Sequence, residues 1–571
     1  MKKIIYTLAA ILLLSGCNDF LDTDNLTKKD TGNFPVNVTD AEQMLTGIYA
    51  TLNKAISNPS HTHFYMAELA SDDRFGGGGE NDKDMQGLDH FMNTKSSRFG
   101  TFWAARYKGI FRANTAIETL DNIKGWESED QKNQLYGEVY FLRALFYFEM
   151  AQMFGEVPLV LKTEVQNLPK APADQIYAQI ASDLKQAITL MPSKPYTSVT
   201  SGHATKWSAE ALMARVYLFY TGYYQKGELP LAEGGSVDKA QAAAWLDDCI
   251  ANSGHSLASD FRNLWPYSNE YTAKDYPYAK KNGLKWEGDG NKETVFAVKF
   301  SNKASWDTDN SGVDNTGYSN QYIQHFGLRS NNGEEDTYPF GPGWGAGPVN
   351  SNLWKEWQIA EPNDIRRVAS ILNVNNNSEV KSFIWGADKQ MEETGYWQKK
   401  YTTIRAHKED GSLVGSYTML MFGYPEENAS ISHSQDLVLI RFADVLLMHS
   451  ELKGDATSLN KVRTRVGLPS VSYSLDAIKR ERRWELSFEG LRYFDLMRWG
   501  DAAAMLAKQE GVTVYNKGLE TTMRAFGGGY RARYEATGGF WAIPEDQIAL
   551  SNGVLTQNKG WGGADAEFPG W

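Results

Sequence analysis

Glu481, Glu485 and Glu489 recur at four-residue spacing and would line one face of a helix. Paired carboxylates are what glycoside hydrolysis requires. The company they keep argues against that chemistry. Between Glu481 and Gly500, eight charged side chains are interleaved with Trp484, Leu486, Phe488, Leu491, Tyr493, Phe494, Leu496, Met497 and Trp499, so charged and apolar groups cannot face opposite ways. Nearby arginines favour the ionised carboxylate, whereas a general acid needs a raised pKa. The expectation is therefore structural: Arg492 and Arg498 each fork onto Glu485, Glu489 or Asp495, so that the charges enter the core already paired. No nucleophile elbow, His-Glu-x-x-His helix or dinucleotide fingerprint stands in a fitting context, and no cofactor is expected.

Two glycine-rich stretches carry groups suited to binding. In 72–80, four consecutive glycines let the backbone approach a ligand closely, while Asp73, Arg74 and Phe75 offer an acceptor, a donor and a ring. No Gly-Lys-Ser/Thr follows, so this is not a phosphate loop. In 339–345, Trp344 stands between Gly343 and Gly345 with little local cover for its ring. Trp306 and Tyr318 could complete an aromatic arc, and Asn320 and Arg329 could serve as hydroxyl partners. Trp354 and Trp357, three apart on a predicted helix, read as core. Asp307-x-Asp309-x-Ser311-Gly312 and Asp82-x-Asp84-x-Gln86-Gly87 begin like calcium loops but end on Tyr318 and Asn93 where a glutamate is needed, so polar turns are expected. His61 and His63 lack a third ligand in view, and no metal site is read.

The amino terminus supplies an address. Lys2 and Lys3 precede an apolar run over 4–14, and Leu14-Ser15-Gly16-Cys17 ends it as a bacterial lipobox whose cysteine takes the lipid. Eleven apolar residues are too few to span roughly 30 Å of hydrocarbon. Cys249 is the one remaining cysteine, which excludes an internal disulfide or a multi-cysteine metal site. A net charge of −12 argues against a nucleic-acid partner. Aromatics make 13% of the chain, several of them in Gly/Asn-rich loops, a setting suited to sugar faces.

These residues must be held by a scaffold. Apolar spacing of three and four predicts helices over 40–55, 102–123, 131–154, 174–191, 205–223 and 237–253, with Asp40 and Asp174 as caps. From 257 to about 436 the periodicity fades, leaving a strand near 294–300 and a helix near 352–359. Helices return over 437–453, 459–466, 475–489 and 491–507. The predicted organisation is a signal peptide and lipobox (1–17), a polar tether (18–33) and a single domain (34–571). That domain has a helical scaffold (34–256 and 437–510), a loop-rich insertion (257–436) and a loop-rich end (511–571).

The closing pattern Glu481-Arg-Arg-x-Glu-Leu-x-Phe-Glu-Gly-x-Arg-x-x-Asp-Leu-x-Arg-Trp-Gly500 resembles that of the SusD/RagB family of surface lipoproteins from Bacteroidetes nutrient-uptake systems. Other blocks agree in family order: Trp103-x-x-x-Tyr107, Phe141-Leu-Arg-Ala144, Phe154-Gly-x-Val-Pro-Leu159, Ile440-Arg-Phe-Ala-Asp-Val-Leu-Leu447 and Asn460-x-Val-Arg-x-Arg-x-Gly467. The resemblance implies a mainly α, SusD-like fold with tetratricopeptide-type helical pairs and a large irregular insertion. It implies a binding protein rather than an enzyme, on the outer face of the outer membrane and anchored through Cys17. It also implies that the protein acts as lid to a SusC-like TonB-dependent transporter, with an oligosaccharide as cargo. Trp344 occupies the place of the stacking tryptophan of starch-binding members, and the 72–80 loop that of a ligand-contacting loop. Peptide carriage, as in RagB-type members, is the alternative, and a surface glycoside hydrolase is a more distant one.

Overall fold

A computed structural model describes residues 34–94, 98–307, 315–329, 335–376 and 379–571. The lipobox, Cys17 and the tether lie outside these residues, as do Asp309, Ser311 and Gly312 of the Asp307 turn. The fold is mainly helical. Six long helices come first: α1 (Val38–Lys54), α2 (Gly100–Thr119), α3 (Glu129–Phe154), α4 (Ala173–Leu190), α5 (Lys206–Tyr223) and α6 (Lys239–Asn252). Each packs on the next in sequence, and α1 also reaches α3. From Phe141 to Phe154 every residue of α3 is buried, so this helix is apolar on nearly all sides and carries its charges in pairs. Its Arg143 forks onto Asp183 at 2.6 and 2.8 Å and donates to Asn114.

Local chemistry sets the helix starts. Ser128 caps α3, Thr205 and Ser208 form a reciprocal box on α5, and Asp238 caps α6. Asp40 and Asp174 are not the caps expected. Each sits inside the first turn, where Asp40 accepts from the Val36 amide while Asn37 accepts from the Asp40 amide. A carboxylate one turn further in still meets the positive end of the helix dipole, which is why the composition misleads by a few residues.

The second scaffold block is α7 (Phe442–Lys453), α8 (Thr457–Arg465), α9 (Leu475–Leu486) and α10 (Arg492–Trp499). α7 packs on α6, α8 and α9, and α10 packs on α5, so the carboxyl-terminal helices close against the amino-terminal ones. Two expectations are corrected here. Leu437–Arg441 is a strand, β2, antiparallel to β1 (Thr294–Val298), with Leu437 opposite Val298. A short aliphatic run does not distinguish strand from helix by period, and here the distant partner decides. The helix expected over 491–507 breaks at Gly500, whose φ is +72°, before a short helix over Ala502–Leu506.

The insertion is more ordered than its sequence suggests. It holds short helices such as Gln321–Phe326, Ser351–Ala360, Ile365–Ser370 and Tyr417–Phe422, together with two-stranded pairings. The end of the chain, expected to be loop-like, contains helices over Tyr530–Thr537 and Glu545–Leu550. One buried apolar cluster runs from Ala41 to Ala566. A smaller one gathers Val349, Leu353, Trp357, Ile371, Trp484 and Phe488, with Trp357 stacked on Trp484 at 5.0 Å. Trp357 is thus core, and Trp354 lies half-buried against Tyr396.

Candidate functional site

Trp344 is 46% exposed, yet its backbone is held on every side. Its amide donates to the Gln324 carbonyl, the Gly345 amide to Gly327, and the Ala346 amide to His325. Just before it, Pro342–Gly343 pairs in parallel with Leu328–Arg329. One face of the indole rests on the His325 ring at 4.1 Å between centroids. His325 is itself buried, and burial together with the nearby His61 depresses its pKa to about 3, so the supporting imidazole is neutral. The result is a ring fixed from below and open above, the arrangement that can stack against the C–H face of a ligand.

Arg329 holds the loop from the side rather than reaching outward. It donates to the Trp344 carbonyl at 3.0 Å and forms ion pairs with Asp82 and Asp388, each at 3.1 Å. Gln390 adds a bond to the Gly345 carbonyl at 2.8 Å. Exposed charges flank this clamp: Asp388 pairs with Arg329, and its neighbour Lys389 pairs with Glu80. Asp82 was read only as the start of a polar turn, and His325, Asp388 and Gln390 escaped the sequence reading because they lie about 20 to 50 residues from Trp344 along the chain and follow no spacing rule.

The glycine loop serves as part of that frame. Gly77 bridges Ala346, Gly78 donates to Gly345 at 2.8 Å, and Gly347 donates to Gly76 at 2.9 Å. Gly77 has φ +70°, and a Cβ there would lie 2.5 Å from the Gly345 carbonyl oxygen, so only glycine allows the two loops to zip together. The side chains just before it are corrected from ligand groups to structural ones. Asp73 is ion-paired with Arg483 at 2.7 Å, and Arg74 with Glu68 at 2.6 Å. Arg74 also donates to Gly347 and stacks over Phe326 at 4.1 Å, while Phe75 is fully buried. Asn320 is likewise inside, its amide bonded to the Gln435 carbonyl at 2.9 Å. The residue types suit binding, but burial leaves them no free surface.

Tyr318 is half-buried at the end of a turn that packs on α1, and Trp306 is 64% exposed on the neighbouring loop. Among the described residues, no ring contact joins either to Trp344. The Asp82 start leads into the helix Lys83–Asp89 rather than a turn: Asp82 accepts from the Gly79 amide, and Asp84, in the helix's first turn, faces His61 and Arg98. His63 meets Gln152.

The 481–500 segment is a buried seam of ion pairs. Glu485 meets Arg366, Arg441 and Arg465, Glu489 meets Arg441 and Lys400, and Glu481 meets Arg366 and Arg463. Burial alone would raise the pKa of Glu485, but the three guanidiniums hold it well below the usual range, the opposite of a general acid. Arg498 pairs with Asp495 as expected, and with Glu451. Arg492 instead reaches Asp72, 420 positions away in sequence, at 2.8 and 2.9 Å.

The described residues form a helical scaffold that carries an exposed indole on a loop held by backbone hydrogen bonds. Residues 19–218 match a family described as starch-binding and associating with the outer membrane, and residues 287–561 match the SusD family. The chain belongs to the SusD/RagB family. Residues 1–18 match a prokaryotic membrane lipoprotein lipid attachment site. A solved laminarin-binding SusD-like protein is 27% identical, with a TM-score of 0.69 over 92% of this chain and 100% of its own. Surface glycan-binding protein A from Bacteroides thetaiotaomicron, solved with laminarihexaose, shares the fold at 20% identity and TM-score 0.65, covering 92% of this chain and 100% of its own. SusD-like protein P2 of Formosa agariphila is 23% identical over 87% of this chain and 91% of its own length.

Proposed function

We propose that this protein captures oligosaccharides at the cell surface, held to the outer membrane by lipid on Cys17, and acts as the lid of a SusC-like TonB-dependent transporter. The observation that carries the reading is Trp344, an exposed indole locked on a neutral imidazole within a frame of backbone bonds. A pre-organised ring loses little freedom on binding, so its stacking energy is available to the ligand. Asp388, tied to the loop through Arg329, and its neighbour Lys389 are exposed charges that would serve as partners for the hydroxyls of a stacked sugar. Trp306 and Tyr318 would extend the surface only through a long ligand. The laminarin-binding relative makes β-glucan oligosaccharides of the laminarin class the first ligands to try. Lid opening and closing would then pass cargo to the transporter by switching access.

Calorimetric titration of the protein from residue 18 onward, against laminari-oligosaccharides and a wider glycan panel, tests the reading. Heat with one glycan class, weakened tenfold or more (at least ~1.4 kcal/mol) in Trp344→Ala, is the expected result. Silence across the panel from a folded protein would overturn it in favour of peptide cargo. For the lid role, recovery of a large transporter with the protein from native membranes is expected, and its absence would count against that role.

A further inference from the structure

Most carboxylates in the buried seam and the helical core are neutralised by a guanidinium, but one pair is not. Asp89 and Glu392 are both 0% exposed, and no Arg or Lys pairs with either among the described residues. His90 lies beside them, 1% exposed, with its Nε2 atom 4.0 Å from Asp89 Oδ2. Ligand atoms of the three residues all fall within 4.8 Å of one another. Part of their polar capacity is open. Asp89 Oδ1 and His90 Nε2 make no hydrogen bond at bonding distance, while the buried Gln509 amide and the Gly76 amide lie beside Asp89 and favour its ionised form. Two uncompensated carboxylates in a dry interior are costly, and a bound cation removes that cost.

We propose that Asp89, His90 and Glu392, with Gln509 beside them, form a buried divalent-metal site of the zinc class. One imidazole, two carboxylates and an amide oxygen make an N/O set suited to a four-coordinate zinc ion, whereas calcium would ask for six to eight oxygens. The placement gives the ion a structural task. Asp89 ends the short helix Lys83–Asp89, and Glu392 uses its other capacity to accept the Gly77 amide at 2.8 Å. Gly77 bridges the Trp344 loop at Ala346. A metal here would pin the glycine loop through Glu392 and Gly77. The remaining oxygen contacts are already stabilising: Tyr530 donates to Asp89 at 2.8 Å, and Trp571 to Glu392 at 2.6 Å.

The test is metal content and melting temperature of the whole lipid-free protein, dialysed against EDTA and then reloaded with zinc. Expected results are about one zinc retained per chain, a melting temperature several degrees higher on reloading, and loss of both in Asp89→Asn and His90→Gln. His61→Gln, outside the cluster, should retain the zinc. If Asp89→Asn fails to fold, the EDTA and reloading arm on the unaltered protein decides the question on its own. No retained zinc and no change in melting would overturn the site and leave the carboxylates sharing a proton. Calcium uptake with zinc refused would overturn the metal class. Since the readout is metal rather than sugar, either result stands apart from the outcome of the glycan titration.

Discussion

The seam at 481–500 and the loop around Trp344 are built from the same materials, tryptophans among arginines and carboxylates, and put them to opposite uses. In the seam, Trp484 is buried on Trp357 and the charges bond one another, tying α8, α9 and β2 to the insertion through Arg366 and Lys400. In the loop, Arg329 and its carboxylates bond the backbone that carries Trp344 and leave the ring uncovered. Charges interleaved with rings therefore do not by themselves mean a binding site. What distinguishes the two regions is whether the ring or the ion pair is the part left in water.

The comparison can be broken most severely at Arg441, which meets Glu293, Glu485 and Glu489 at 2.5–2.8 Å inside the core. Arg441→Leu should cost about 3–5 kcal/mol, read as a large fall in denaturation midpoint, because three buried carboxylates lose a shared partner. A loss below about 1 kcal/mol would show that the seam is not structural.

Acid should attack the seam next. Burial raises Asp72, Asp444 and Glu485, but their arginines overcome it and hold all three low, with Asp444 at about 2. Folded-state values depressed below the unfolded ones mean that the unfolded chain binds more protons as pH falls. The stability these groups contribute is therefore full above about pH 4–5 and is lost progressively on acidification toward Asp444's value. A melting temperature that is flat from pH 6 to about pH 3 would contradict this pairing.

A smaller effect is expected at Gly77→Ala. The left-handed φ and the approach to Gly345 predict a stability loss of about 1–3 kcal/mol, with weaker ligand binding although residue 77 lies beneath the loop. Unchanged affinity would separate the glycine loop from the platform. Smallest is Trp306→Ala, which should leave stability alone and reduce affinity for a long oligosaccharide by roughly threefold or less. A loss matching that of Trp344→Ala would place the two rings in one site.

Legibility followed the distance over which each decision is made. Helices α1 to α6 were readable to within a few residues because three-four periodicity over many turns is a local signal. The exposure of Trp344 was readable because glycines on both sides remove local cover. The short helix Gln321–Phe326, which supports it, spans too few residues to show a period. Asp73, Arg74 and Phe75 carried a binding composition, but Arg483 and Glu68 had already claimed the two charges and the core had taken the ring. The Asp89, His90 and Glu392 cluster left no motif, since about 300 residues separate its parts.

Residue type at short spacing was enough for the lipobox, the helical scaffold, the family and the expectation that the charges of 481–500 enter the core paired. Tertiary structure alone decided which partner each arginine takes, which of the two glycine loops carries an open ring, and that Asp89 and Glu392 meet without a counter-charge. Those outcomes depend on burial, and burial is set by segments that are hundreds of residues apart until the chain folds.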